Sequence, residues 1–404
     1  MLLSLAWKNI WRNKTRSLII LAAIALGIWG GMLASGVSYG MAEQMISTAI
    51  STRLAHIQLH HPEFSDQQDP SLTIPHADNL LDVAAAMQAV VSVSPRLVVT
   101  GMAASPKTTT GAVIQGINPG PESRISDVAQ NIVEGHWFKD DIRNPAVIGT
   151  KMAQKLDINV GSRIVFTFQD VNNTITGAAF RIVGTYETVS SQYDGAHVFV
   201  KQGELRELLE LSGGYHEIAI LLQSSEAVNR IAQRLETQFP DVQVDTWQEL
   251  APELQYISEV MDTSLLIFMA VILFALAFGI INTMLMVVME RKRELGMLMA
   301  VGMHRKSVFQ MIMLETIFLS LTGALAGMLL SMMTVTVLAR EGIDLTVFSQ
   351  GLRDLGISET LYPTLPWRLY PIITVMMIGT AMVSAVYPAV IALRLRPASA
   401  LRNM

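Results

Sequence analysis

Four long uncharged runs dominate the pattern of hydrophobic and polar positions along the chain. They cover residues 17–42, 263–289, 316–339 and 369–393, and none of them contains Asp, Glu, Lys, Arg or His. A helix needs about 20 apolar residues to cross a hydrocarbon layer that is roughly 30 Å thick. The pattern therefore predicts an α-helical bundle of four transmembrane helices.

The interval 43–262, between the first and second predicted helices, has the opposite character. It is polar and mixed in charge, and it is long enough to bury a core of its own. Helical spacing continues beyond the first run through Thr52 and resumes at Leu254, which predicts two helical stalks. Between the stalks the periodicity predicts a large mixed α/β extracytoplasmic domain. Its predicted strands are 53–60, the beginning of 147–156, 163–168, 180–186 and 197–200, and its predicted helices are the rest of 147–156, 205–211 and 226–239.

Composition and charge agree with a membrane protein and indicate its orientation. The chain has 404 residues, of which 51% are hydrophobic and 16% charged. The two ends and the loop 290–315 together hold 12 basic and 3 acidic residues, whereas 43–262 holds 14 basic and 27 acidic ones. Short basic loops stay in the cytoplasm. We therefore expect a multi-pass protein with both termini cytoplasmic, and with 43–262 and the loop 340–368 outside.

The two ends of the chain extend this organisation. Residues 1–16 place Trp7 and Trp11 on one side of a basic amphipathic pattern, which is typical of a helix lying at the membrane interface. The segment 394–404 is a short basic cytoplasmic tail. The chain has no cysteine, so the outer domain cannot be held by disulfides.

No pattern of catalytic or metal-binding residues occurs in the sequence. His56 and His60 fall on a predicted strand, where residues four apart are separated by roughly 13 Å, too far to share one ion. Neither G-x-S-x-G nor a phosphate-binding G-x-x-x-x-G-K-[ST] occurs. The acidic outer domain gives no support for nucleic-acid binding. We expect no catalytic, cofactor-binding or metal site, and no enzyme activity on this chain.

Glycines recur four residues apart in two of the predicted membrane helices. Gly27 and Gly31 form one such pair, and Gly323 and Gly327 form the other. Small residues at this spacing let helix backbones approach closely, either within one chain or between two copies. The pattern predicts tight helix packing at both pairs.

The charged loop between the second and third runs carries an ordered apolar stripe. Leu295, Leu298, Met299 and Gly302 follow the spacing i, i+3, i+4 and i+7. The charges at the beginning of the loop are Glu290, Arg291, Arg293 and Glu294. This combination predicts a short amphipathic helix on the cytoplasmic surface, with a shape suited to a cleft on a partner protein. The alternative is a connecting loop whose charges only follow the positive-inside rule.

Three stretches carry a resemblance to a known family. The loop reads ERKRELG at 290–296 and AVGM at 300–303, and the end reads YPAVIALRLRPASALR at 387–402. These motifs resemble ABC transporter permeases of the MacB, LolC/LolE and FtsX superfamily. The layout of one span, a large outer domain and three further spans is closest to the LolC/LolE type of lipoprotein-releasing permease.

The resemblance implies a set of partners and a location. Such permeases reside in the bacterial inner membrane among its lipids and pair with a second permease subunit, identical or different. Each binds a cytoplasmic ABC ATPase through the loop between spans two and three. ATP and Mg would belong to that ATPase, and none to this chain. A periplasmic carrier or adaptor would complete the system.

The implied function is ATP-driven work on the outer side of the membrane. Extraction of lipoproteins or other lipidated substrates from the outer leaflet is the function we favour. The alternatives are MacB-like efflux of peptides or antibiotics, FtsX-like regulation of a cell-wall hydrolase without cargo, and a membrane-anchored outer enzyme.

Flexible methionines near the outer ends of spans one and two suit acyl chains of varied shape. We therefore predict cargo contacts at Met41, Met45, Met261 and Leu265. Ordinary packing of the stalks is the alternative for the same residues.

Overall fold

The computed structural model describes residues 6–8, 11, 12, 14–139 and 142–393. The predicted tail 394–404 and much of the predicted interfacial helix 1–16 lie outside the described residues. The chain divides into two compact units. The span unit is Met1–Ala42, Ser258–Asp344 and Thr360–Met404, and the sheet unit is Glu43–Ile257 and Leu345–Glu359.

The strands are labelled in chain order. They are β1 Ile57–His60, β2 Val90–Ala104, β3 Thr109–Ile117, β4 Ile132–Gly135, β5 Pro145–Gly149, β6 Arg163–Gln169, β7 Ile175–Tyr186, β8 His197–Lys201, β9 Glu217–Leu222, β10 Gln243–Thr246, β11 Ile343–Asp344 and β12 Thr360–Leu361.

The α-helices are labelled in the same way. They are α1 Lys14–Ala49, α2 Phe64–Gln67, α3 Ala77–Ala85, α4 Pro119–Ile125, α5 Thr150–Leu156, α6 Ser191–Asp194, α7 Gln202–Leu208, α8 Val228–Gln238, α9 Trp247–Leu250, α10 Pro252–Glu290, α11 Lys292–Ala300, α12 Arg305–Glu341, α13 Ser349–Asp354 and α14 Leu369–Leu393.

Among the described residues, four helices are long and apolar enough to cross a membrane, which confirms the predicted bundle. Their bounds as candidate spans are Ser17–Leu54, Pro252–Glu290, Arg305–Glu341 and Leu369–Leu393. Their inward-facing side chains form one apolar core that includes Ile28, Met269, Ile312 and Met377. Many outward-facing residues are exposed and apolar, for example Phe274 and Met333. A bundle of this kind satisfies its backbone hydrogen bonds internally, as a bilayer requires.

The two predicted glycine pairs lie where helices of the same chain meet. A Cβ atom on Gly327 would lie 2.5 Å from the carbonyl oxygen of Ala25, and one on Gly323 would lie 3.0 Å from the Ile24 side chain. These two glycines of α12 therefore face α1. Because the obstacle at Gly327 is backbone, it cannot move aside as a flexible side chain would.

The other pair brings α1 against α10. A Cβ atom on Gly27 would lie 2.8 Å from Leu276, and one on Gly31 would lie 2.7 Å from Ile272. The close approaches at all four glycines are thus made within one chain.

The sheet unit is built on one mixed sheet. Ten of the described strands belong to it, in the order β10-β1-β9-β2-β3-β8-β5-β7-β4, with β6 pairing both β2 and β7. The 15-residue strand β2 runs through the middle and serves two apolar cores. Val90 and Val93 pack against a core with Ile57 and Leu235, and Leu97 belongs to a second core.

A buried charge network surrounds Arg96 of β2. Arg96 has a side-chain exposure of 2% and donates to both oxygens of Glu122, at 2.9 and 2.7 Å, and to Glu217, at 2.5 Å. His60 Nε2 lies 3.8 Å from Glu217, and its Nδ1 lies 3.3 Å from Asp245. A buried charge is tolerated only when paired and hydrogen-bonded. The network therefore ties β1, β2, β9, β10 and α4 together.

The network also sets the ionisation of its members. Burial lowers the pKa of His60, but hydrogen bonds to Asp245 and Glu217 and their negative charges outweigh it and raise the pKa to about 9. Burial raises the pKa of Glu217, but the Arg96 charge and the bond to His60 outweigh it and lower the pKa to about 2. His60 is therefore cationic, and Glu217 anionic, near neutral pH.

Several predicted elements are confirmed, and one is wrong in part. The strands predicted at 163–168 and 197–200 appear as β6 and β8. The strand predicted at 53–60 begins only at Ile57, because α1 continues as a π-helix over Ile50–Leu54. Ala55, with φ 55° and ψ −165°, then breaks the helix. The alternation at 53–60 does not reflect sheet faces, since all four residues of β1 are buried.

The packing at Gly327 can be tested with two glycine-to-alanine substitutions that should change the stability of the chain in opposite directions. Gly327→Ala should force α1 and α12 apart and lower stability by about 1–3 kcal/mol. Gly30→Ala is the matched control, because a Cβ there meets nothing within 4 Å and the helix gains up to about 1 kcal/mol. Thermal unfolding of the full chain in nanodiscs would measure both. Equal melting temperatures for the two variants would contradict the packing described here.

The raised pKa of His60 yields a pH dependence. Its contribution to stability is fully present below pH 6.5, the ordinary histidine value, and is lost as the pH rises from 6.5 through about 9. The melting temperature of the full chain should therefore fall across this window. His60→Gln should flatten that fall, while His61→Gln, the neighbouring control, should leave it unchanged. A fall that persists undiminished in His60→Gln would contradict the assignment.

Candidate functional site

A one-residue turn joins α10 to α11. Arg291 has φ −91° and ψ 15°, and α11 begins directly after it at Lys292. At the other end Gly302 has φ 104°, and the amide of Met303 donates to Leu298 O at 3.0 Å. Glycine adopts this backbone conformation without the penalty of a side chain. Gly302 therefore ends α11, and the predicted short helix lies between two membrane-length helices.

The predicted apolar stripe of α11 packs against its own unit. Leu295 is 1% exposed and belongs to the core of the span unit. Leu298 and Met299 are partly buried against the same core. The stripe therefore holds α11 in place. Its use as a surface for a partner stays a prediction that no observation here supports.

A different pair of apolar residues on α11 is exposed. Met297 is 55% exposed and Val301, directly after the helix, is 84% exposed. They are four residues apart, which places them on one side of the helix. The sequence analysis did not identify them, because it assumed that the main apolar stripe of the helix faces a partner protein. The burial of Leu295 shows which face of α11 packs inward and which face is exposed.

A network of charged side chains connects α11 to α12. Arg291 donates to both oxygens of Glu315, at 2.8 and 3.0 Å, and to Glu294 at 3.2 Å. Glu294 also accepts from Arg12 at 2.7 and 2.6 Å. The hydrogen bond from Arg12 holds the pKa of Glu294 below its ordinary value. The predicted charges Glu290 and Arg293 are exposed on either side of this network.

The predicted cargo residues are distributed over both units. In the span unit, Met41 is half-buried, Met261 packs against the core and Leu265 is 7% exposed. In the sheet unit, Met45 is partly buried against the first core. Cargo contact at these four positions stays a prediction.

Met45 also lines a cavity of about 500 Å³ within the sheet unit. Ala49, Leu254 and Leu355 give its wall an apolar part, and Tyr193 with several polar side chains gives the rest. His197 also lines it, and burial lowers the pKa of that imidazole to about 4, so it is neutral at physiological pH. Arg53, Glu253 and Asp354 also line the cavity, so only the apolar part of its wall suits a lipid-like group.

Two features of the described residues bear on metal binding and on proton transfer. No group of three or more His, Cys, Asp or Glu among them could hold a metal ion. His56 approaches Ser225 with Nε2 at 3.3 Å, but its Nδ1 accepts from the amide of Leu222 at 3.2 Å. The ring proton therefore sits on Nε2, facing Ser225, so the imidazole cannot take a proton from that hydroxyl.

Two family models together match most of the chain. The MacB-like periplasmic core domain matches residues 17–238, and the FtsX-like permease C-terminal domain matches residues 266–397. The chain belongs to the MacB- and FtsX-like family of ABC transporter permeases. This family assignment confirms the resemblance of the loop and tail motifs, and the mixed α/β unit between the first two spans agrees with it.

Curated relatives point to the same family. An uncharacterized ABC transporter permease of Methanocaldococcus jannaschii is 24% identical, over 69% of this chain and 67% of that protein. The lipoprotein-releasing system transmembrane protein LolC of Xylella fastidiosa is 20% identical, over 72% and 73%. The pyoverdine export ATP-binding/permease protein PvdT of Pseudomonas savastanoi pv. phaseolicola is 23% identical, over 81% of this chain but only 50% of that protein. This ABC permease is therefore a multi-pass inner-membrane protein.

Proposed function

We propose that this permease takes force from a separate ATPase through α11 and delivers it to the sheet unit. The observation that carries the proposal is the exposed pair Met297 and Val301, on a helix whose opposite face is buried. An apolar pair held on a fixed helix can enter a cleft with little loss of backbone freedom, which favours docking. Membership of the ABC permease family identifies the expected partner as an ABC ATPase.

We propose that the ATPase is a separate subunit, and the match to the transmembrane protein LolC over nearly three quarters of both chains supports this. ATP and Mg would be bound there. The positive-inside distribution favours a cytoplasmic position for α11 and for both termini. A second permease subunit would complete the transporter, in keeping with the family.

Two uninterrupted helices support the transmission step. The helices α1 and α10 have 36 and 39 residues, and each contributes residues to both units. A continuous helix resists bending better than a jointed connection, because its hydrogen bonds form one ladder. Movement at the inner ends of these helices would therefore reach the sheet unit.

For the cargo, we propose lipoproteins or other lipidated molecules of the outer leaflet. The match to LolC covers nearly three quarters of both chains. The apolar wall of the cavity at Met45 could accept part of an acyl chain. The match to PvdT supports export of a small molecule as the second candidate. An FtsX-like role without cargo is the third.

Docking at Val301 can be tested against a matched valine. Val301→Asp places a charge in the proposed contact, and should reduce stimulated ATP hydrolysis at least about tenfold, roughly 1.4 kcal/mol or more of lost coupling. Val347→Asp is the control, since Val347 is 89% exposed and lies in the sheet unit. Hydrolysis by the complex in nanodiscs is the measurement. Normal stimulation with Val301→Asp would contradict docking at this face.

The cargo class can be tested with one peptide in two forms. Proteoliposomes holding the permease and its ATPase would carry a triacylated peptide or the same peptide without acyl chains. Lipidated-cargo extraction predicts ATP-dependent release of the acylated form only. Transport of the unacylated peptide across the bilayer would favour export, and ATP hydrolysis that moves neither form would count against both.

A further inference from the structure

The carboxylate of Glu315 is unusual for its surroundings. It lies in α12, one residue before a run of 24 uncharged positions, and it is 5% exposed. A buried carboxylate near the membrane core is costly unless it is paired. Its partner is Arg291, which occupies the single-residue turn between α10 and α11. The ion pair therefore connects the turn between α10 and α11 to the next membrane helix.

The same arginine continues the network outward. Arg291 binds Glu294 on the first turn of α11, and Glu294 binds Arg12 near the beginning of the chain. That N-terminal segment also contacts α12 directly, because the rings of Trp7 and Phe318 meet edge to face at 6.0 Å. Four charges in alternating order, Arg12, Glu294, Arg291 and Glu315, thus span three separate pieces of the chain.

The members of this network differ in strength. The pair Arg12–Glu294 is about half exposed at both ends, so it contributes little on its own. The pair Arg291–Glu315 has side-chain exposures of 12% and 6% and two hydrogen bonds. Solvent therefore screens its charges far less. Breaking it would leave an unpaired buried charge. The buried pair Arg291–Glu315 therefore provides most of the rigidity. The exposed pair Arg12–Glu294 orients the N-terminal segment against it.

We propose that the Arg291–Glu315 ion pair is a strut that makes α11 and α12 move as one body, with Arg12–Glu294 extending the strut to the N-terminal segment. Arg291 and Glu315 are thus positioning residues, which act through α11 and touch neither ATP nor cargo. This proposal rests on the proposed function, because it assigns the route by which movement of α11 enters the membrane helices.

The strut can be measured without any partner. The chain has no cysteine, so spin labels at Lys292→Cys and Gln310→Cys, both exposed, report the separation of α11 and α12. In nanodiscs the parent should give one narrow distance distribution. Glu315→Gln should broaden it at least twofold, while Lys306→Gln, which removes a charge from the same surface, should not. An unchanged distribution with Glu315→Gln would overturn the proposal.

Coupling to the ATPase provides the second readout. Glu315→Gln should still co-purify with the ATPase but should lose most of the stimulated hydrolysis. Arg291→Lys, which keeps a positive charge beside both glutamates, should keep the narrow distribution and at least half of the hydrolysis. An Arg291→Lys variant that performs no better than Glu315→Gln would overturn the strut. If the parent itself binds no ATPase, the proposed function fails, and the label distances still decide the strut.

Discussion

The ion pair between Arg291 and Glu315 is the interaction on which the proposed coupling of α11 to α12 depends. A carboxylate beside a long apolar run needs a cation within reach, and the nearest turn of the chain supplies one. That requirement fixes where α11 leaves α10 and how it approaches α12. The burial of Leu295 follows from the same geometry, because the helix can then lay its apolar stripe on the core of the unit. Met297 and Val301 are left facing outward.

The sheet unit relies on a comparable device at a different place. Strand β2 contributes to two apolar cores, and Arg96 is buried on the same strand. Glu122 of α4 and Glu217 of β9 satisfy it, and the protonated His60 of β1 pairs with Glu217 in turn. Because removal of a partner would leave a buried charge unpaired, the network holds β1, β2, β9, β10 and α4 together. Under the proposed transmission of force, this rigidity would let the sheet unit respond as a whole to movement of its two attached helices.

The sequence predicted those features that depend on composition over long stretches. Uncharged runs longer than 20 residues specify membrane helices almost by themselves, and the four spans followed from them. The glycine pairs also marked real close approaches, although spacing alone could not tell whether the neighbouring helix came from the same chain. Which helix packs against a glycine pair depends on the tertiary structure, and the spacing of the glycines does not show it.

Features that depend on distant contacts could not be predicted in this way. Strand β2 contains Pro95, which normally argues against a central strand, yet it pairs there opposite Ile218. The outward face of α11 was assigned to Leu295, Leu298 and Met299, because periodicity shows that a stripe exists and does not show what covers it. The cavity at Met45 joins residues from four separate parts of the sequence. Only the folded chain brings these together.

The most direct test of the account is a photo-crosslinking amino acid at position 301, compared with one at 298, in the complete membrane complex. The account predicts that the label at 301 captures a P-loop ATPase identified by mass spectrometry, and that the label at 298 forms crosslinks within its own chain. Capture of the ATPase from 298 but not from 301, or from neither position while the complex hydrolyses ATP, would contradict it.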